Sequence, residues 1–383
     1  MEKRKLKRSA IAVGMMSILM LSITVFCGGA TTETAITDLA DRTVRVQLPV
    51  ERIVLGSGRY LHEFAAVGGE AVLDKIVGWG SDLDLYDKDT LDMYRETFPN
   101  QIAAITDIGY SSTFDAEAVI ALEPDVVVFP YWSATDEGLL ADIDKLERAG
   151  IPSVFLDYWS DPYLNPIEST LLIGTLLGEE ERAQEVVVYY QQQMDAVTTV
   201  LATIETEKPK VYVEVGSTGP SEYGSTYGDS GLGAVVVKAG GINIAEDDLS
   251  RLAANTKMID PEYLIATDPD VIIISGSKWT AADSMRLGYY AEGESSRALL
   301  EAFTQRTGWN TLTAVQQGRV YSSFHGFSFR IFNFVGVQAF AKWIYPEQFT
   351  NLDPEANFRE FHERFLPVEY SGVWMIGLSS EDE

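Results

Sequence analysis

Cysteine is all but absent: Cys27 is the only one among 383 residues, so no disulfide can close within the chain and no thiolate cage can hold a metal. Histidine is nearly as scarce, with His62, His325 and His362 in three separate regions. His62-Glu63 and His362-Glu363 each begin a zinc-protease motif, but neither has a second histidine four residues after the first. No dedicated protein metal site is expected. A Gly-x-Ser-x-Gly elbow, a glycine-rich phosphate loop ending in Lys-Ser/Thr and a Gly-x-Gly-x-x-Gly turn are missing too, which removes the commonest hydrolase and nucleotide-binding readings. Positive charge is also short. With 29 Lys and Arg against 57 Asp and Glu, the net charge of −28 repels nucleic acid and anionic membrane surfaces, so neither is an expected partner.

Only one long hydrophobic run occurs, from Ser9 to Phe26, directly after Lys3, Arg4, Lys5, Lys7 and Arg8. That order is a secretory signal pattern over residues 1–27, and its apolar length would also serve as an N-terminal membrane anchor. Cys27 at the end of the run is a candidate lipidation site, although Phe26 stands where lipoprotein signals carry a small residue. Plain cleavage after Ala30 or Ala35 is the alternative. Either way the globular part lies outside the cytoplasmic membrane, in the periplasm or at the cell surface, and any membrane contact is through that anchor.

The whole chain is 46% hydrophobic, and the part after the export segment is long enough for two domains. One segment is duplicated: Phe114-Asp115-Ala116-Glu117 through Glu123-Pro124-Asp125-Val126-Val127-Val128 returns as Ile259-Asp260-Pro261-Glu262 through Asp268-Pro269-Asp270-Val271-Ile272-Ile273. Each copy reads as an acidic helix start, a short apolar-faced helix, a Pro-Asp stop and a β-branched buried strand. Two similar open α/β lobes with mainly parallel sheets follow, at 43–160 and 209–383, the second with terminal helices near 333–345 and 356–365. In the first lobe, 43–48, 52–56, 75–79 and 151–156 read as strands and the Asp- and Tyr-rich stretch up to Gly109 as irregular. The region 165–206 joins the lobes, with helical apolar spacing after Gly178 that reads as one long helix.

In open α/β sheets ligands bind outside the carboxyl ends of the strands. Side chains suited to binding cluster there. Arg59 and Tyr60 follow the 52–56 strand, Trp132 the 126–128 strand, and Trp159 the 151–156 strand. In the second lobe Tyr227, then Lys278 and Trp279, then His325 and Arg330 occupy the corresponding places. Aromatic faces suit a flat or catecholate-rich ligand, and Arg59, Lys278 and Arg330 would neutralise an anionic one.

The Arg52-Ile53-Val54-Leu55 strand, the Gly68-Gly69 to Gly78 run, the Asp115 to Val126 unit, the long connecting helix and the Ala239-Gly240-Gly241-Ile242-Asn243 turn together resemble the helix-linked (class III) solute-binding proteins of ABC importers. The resemblance covers nearly all of 43–345. It implies two lobes bridged by a rigid helix, a ligand held in the cleft, an ABC permease with its ATPase as partner, and no catalysis. It also implies a glutamate on each lobe that docks the permease, for which Glu70 and Glu246 are the candidates, although Ile242 departs from the commoner Gly-Gly-Glu-Asn form. The expected cargo is an iron-siderophore or similar metal chelate, with haem and cobalamin within the same class; no resident cofactor is expected. The alternatives are a molybdate or tungstate receptor of the same fold, or an exported metal-cofactor enzyme or chelatase with His62 and His325 facing each other across the cleft.

Overall fold

The computed structural model describes residues 32–245 and 256–378. Two five-stranded sheets organise them. The first runs in the order Thr106–Asp107, Ile76–Trp79, Ile53–Leu55, Val126–Pro130, Ser153–Leu156, with every pair parallel. The second runs Ile242–Asn243, Lys210–Val215, Val271–Gly276, Val320–Phe324, Met375–Gly377, parallel except for the last strand. In both, the first strand of the unit lies beside the strand of the duplicated segment, so the two copies occupy equivalent places.

The duplicated residues do equivalent work. Asp115 and Asp260 are N-caps whose carboxylates accept from the first-turn N–H groups of helices Ala116–Ala121 and Pro261–Thr267. Glu123 and Asp268, each before the Pro-Asp pair, adopt positive φ of 47° and 46°. Asp125 Oδ2 then accepts from the N–H groups of Glu51 and Arg52 at 2.8 Å, and Asp270 Oδ2 from that of Lys210 at 2.7 Å. Arg52 and Lys210 return to the carbonyls at the end of the preceding helix, Leu122 and Thr267. Each strand that follows is wholly buried, as its β-branched run requires.

Between the sheets lie helices Leu164–Leu177 and Glu180–Leu201, so the joining region holds a shorter helix before the single long one. Gly178, at φ 72°, ends the first in the left-handed conformation that glycine adopts freely. Buried side chains of the long helix, both sheets and helices Phe334–Ile344 and Pro354–Phe365 form one continuous apolar core. A smaller core covers the other face of the first sheet.

Two expectations are corrected. The Asp- and Tyr-rich stretch is helical, as Asp82–Tyr86, Lys88–Thr97 and Pro99–Ala104. Its inward apolar residues, Leu83, Leu91, Tyr94 and Ile102, are spread over three short helices and make no sustained period. Thr43–Leu48 is not a sheet strand of the lobe but pairs antiparallel with Thr32–Thr37 in a separate hairpin. That polar, Thr-rich strand is mostly exposed and buries only Ile36, a weak signal beside the export run.

Candidate functional site

A cavity of about 360 Å3 opens where the carboxyl ends of the two sheets face each other. From the first sheet it receives Ser57, Arg59 and Tyr60, then Pro130 and Trp132, then Asp157, Tyr158 and Trp159. From the second come Tyr227, His325, Phe329 and Arg330. Seven side chains expected from the sequence therefore meet around one space: Arg59, Tyr60, Trp132, Trp159, Tyr227, His325 and Arg330. Lys278 is exposed and does not line it. Trp279 stands behind the wall, its ring edge-on to His325 at 5.1 Å.

Arg59 is aimed by Asp82, a fully buried carboxylate reached by Ser57 Oγ at 2.5 Å, Gly58 N at 2.7 Å and Arg59 Nε at 2.8 Å. Burial works against the guanidinium charge, but Asp82 and then Tyr110 more than offset this and hold the group above its ordinary pKa. Its face lies over Phe329 of the second sheet at 4.8 Å and Tyr86 at 5.7 Å.

His325 is held by Ser275 Oγ at Nδ1, 3.1 Å, and by the Tyr227 hydroxyl at Nε2, 3.4 Å. Burial, with Arg59 and Arg330 nearby, pushes its pKa down to about 3, so the imidazole is neutral at ordinary pH. Ser275 is wholly buried and does not line the cavity. Among the described residues no carboxylate is hydrogen-bonded to the imidazole.

Trp159 crosses the cleft. Its indole meets Tyr227 edge-on at 5.5 Å and rests on Gly231, where any Cβ would come within 2.8 Å of the ring. Asp157 orients that turn by accepting from the N–H groups of Trp159 at 2.8 Å and Ser160 at 3.0 Å and from Asn165 Nδ2 at 2.7 Å. The Tyr60 hydroxyl donates to the Leu156 carbonyl at 3.0 Å, leaving the ring to face the cavity.

Arg330, expected as a free cation for the ligand, is wholly buried at the edge of the cavity and spans the lobes. Its Nη2 bonds Asp87, and its Nη1 lies 3.7 Å from Glu63 Oε2. Its Nε and Nη1 have no hydrogen-bond partner among the described residues. One cation between two buried carboxylates leaves the cluster short of positive charge. Burial first, with Asp87 adding to it, accordingly pushes the Glu63 carboxyl up to about 7 against the pull of Arg330.

His62 does not face His325. It points into the core, between the Tyr94 hydroxyl at 3.2 Å and Thr90 Oγ1 at 3.4 Å, with Phe332 edge-on. Among the described residues no group of three or more His, Cys, Asp or Glu side chains is placed to hold a metal ion. Glu70 is exposed at the far end of helix Leu61–Gly68 from Tyr60. Cys27 and Glu246 lie outside the described residues.

The sequence reading missed Phe329, Asp157 and the aiming carboxylates Asp82 and Asp87. Phe327, two residues after His325, is core, because the turn His325–Ser328 is a tight helix of about three residues per turn that sends Phe327 inward. Asp82 carried no local signal, since its bond to Arg59 spans 23 residues of sequence.

Two α/β lobes, a bridging helix and a mixed cationic and aromatic cleft define a two-lobed solute receptor. A family model described as periplasmic binding protein matches residues 53–323, and the chain belongs to that family. It is 36% identical to the TroA-like periplasmic binding protein FepB from Veillonella parvula, over 90% of this chain and 99% of that one, with a TM-score of 0.82. A molybdate-bound protein, MolA of Haemophilus influenzae, shares the fold at 17% identity and a TM-score of 0.67, covering 89% of this chain and 100% of its own. Cobalamin-binding proteins from two strains of Halobacterium salinarum are 26% identical over 168 residues, 43% of this chain and 41% of theirs. That likeness spans about two fifths of the length of those curated relatives. Among the described residues no helix is long and apolar enough to cross a membrane.

Proposed function

We propose that the chain is the extracytoplasmic receptor of an ABC importer, and that it captures an anionic metal chelate of the iron-siderophore kind between its lobes. The observation that carries this reading is the composition of the cavity wall: a guanidinium held charged and aimed by Asp82, a neutral imidazole, and aromatic rings from both sheets. Such a wall offers charge neutralisation at one point and ring faces elsewhere, which suits a flat or catecholate-bearing anion. A tetrahedral oxyanion would leave most of the space empty and make no use of the rings. The reading is binding without turnover, with the imidazole of the cleft held by the Ser275 and Tyr227 hydroxyls. Delivery would run through an ABC permease and its ATPase docked at Glu70 and Glu246, with Cys27 as the lipid anchor.

Titration of tryptophan fluorescence and calorimetry with a ferric catecholate, haem, cobalamin and molybdate tests this. Saturable one-to-one quenching by the ferric catecholate without chemical conversion is expected, since Trp132 and Trp159 line the cavity. Binding of molybdate alone would sink the chelate reading, and conversion of the chelate would sink the receptor.

A further inference from the structure

A second cavity, of about 280 Å3, adjoins the first and shares Pro130 and Trp132 with it. Residues 56–142 of the first sheet's loops and helices build it alone. Its floor is aromatic, with Phe114 and Phe129 edge-on at 5.5 Å. Gly138, in the first turn of helix Glu137–Arg148, leaves one wall without a side chain. Trp132, the wall common to both spaces, is 45% exposed and braced edge-on by Tyr110 at 6.1 Å.

The two spaces differ in charge. Two cations, Arg59 and Arg330, and one carboxylate, Asp157, line the first, whereas among the described residues the only charged side chains lining the second are Asp136 and Asp142. Asp136 Oδ1 already accepts from Leu139 N at 3.0 Å, so the helix's first-turn donor is met within the protein and does not seek an anion. Asp142 Oδ1 pairs with Lys145 at 2.6 Å on the exposed side. The recess beside Trp132 makes this a pocket open to solvent, and the two carboxylates set the charge it favours.

We infer that this side cavity is a second subsite of the cleft, which takes an arm of the bound chelate ending in a cation while the anionic metal-bearing head rests against Arg59. An apolar stem would lie on Phe114 and Phe129 with its charged tip at the carboxylate rim. An arm ending in a carboxylate would meet like charge there and is disfavoured. The inference rests on the chelate reading given above.

The test uses three gallium(III) complexes, redox-inert and alike at the metal: those of catechol, of dopamine with its ammonium arm, and of 3,4-dihydroxyphenylacetate with its carboxylate arm. Calorimetry with the full-length protein is expected to rank them ammonium, then armless, then carboxylate, with roughly tenfold between the extremes, the scale of a partly screened charge contact. Gly138→Phe, which fills the side cavity, should erase the ranking and leave the armless complex bound as before. Asp142→Asn should shrink the ammonium preference, and it serves as a second variant should the bulkier one fail to fold. Equal binding of all three complexes, or an unchanged ranking in both variants, would overturn the subsite and leave the chelate reading standing. Failure of all three to bind would overturn both.

Discussion

Arg59 shows how a single side chain is fixed at the wall of a cavity. A guanidinium on a loop would sample many rotamers, but Asp82 takes its Nε edge and also ties down Ser57 and Gly58 on the same turn. Arg59→Ala is expected to weaken an anionic chelate by about 1–3 kcal/mol, the range for losing a charged hydrogen bond, and unchanged affinity in calorimetry would remove Arg59 from the site. Arg59→Lys should recover only part of the loss, because an ammonium cannot hold the Asp82 edge and face the ligand together. Gly231 is the counterpart on the other lobe. At φ 53°, with the Trp159 ring against its Cα, it tolerates no Cβ, so Gly231→Ala should displace the indole and show as a shifted tryptophan emission maximum. At this scale the sequence displayed most of the cavity-lining residues, since aromatic and cationic side chains past strand ends are visible in one dimension. It hid Asp82, Asp87 and Phe329, whose roles depend on partners far along the chain or on the pitch of a short turn.

Among the elements, the duplicated unit does the scaffolding. Both copies close the loop from helix to strand with the same three devices: an N-cap aspartate, a positive-φ residue before proline, and an aspartate that receives the N–H groups of the neighbouring strand. Asp125→Ala and Asp270→Ala should each lower unfolding free energy by about 1–2 kcal/mol in urea titrations. The first should cost more, because Asp125 accepts two backbone N–H groups where Asp270 accepts one. Negligible losses would show that the shared motif is not what anchors the strands, and equal losses that the second N–H adds nothing. The repeat made both lobes legible from sequence, because β-branched runs after Pro-Asp leave little choice but a buried strand. The three short helices between Asp82 and Ala104 were not legible, as each is too brief to establish a period and much of their polar surface faces water.

Over the whole molecule, the lobes are joined by a shared core and by ion pairs across the cleft, Arg330 to Asp87 and Arg286 to Asp89. All three histidines are pushed down by burial, His325 to about 3 and His362 to about 4, with His62 well below its ordinary value. Their stabilising effect is complete above the unfolded-state pKa near 6.5 and is lost progressively as pH falls towards those lowered values. Glu63 acts in the opposite sense: raised to about 7, it favours the folded state more as pH falls from about 7 towards its ordinary value. The thermal midpoint at high salt should therefore drop between about pH 7 and about pH 5, and Glu63→Gln should steepen the drop. An unchanged slope in that variant would contradict the assignment. Charge on the surface has its own signature. Without residues 1–27, which carry five basic side chains and Glu2, 24 basic residues face 56 acidic ones, a net charge of −32. Screening that self-repulsion should raise the midpoint from roughly 0.01 M to about 1 M NaCl at neutral pH, and a midpoint indifferent to salt would show the acids to be locally balanced.

Capture of an anionic metal chelate in the cleft is tested most directly by native mass spectrometry of the protein purified from its own host, beside the Arg59→Ala variant expressed in the same cells. The expected result is one metal-bearing small molecule per chain on the wild type, lost or strongly depleted on the variant. A metal-free ligand, or a chelate retained equally by both proteins, would contradict it.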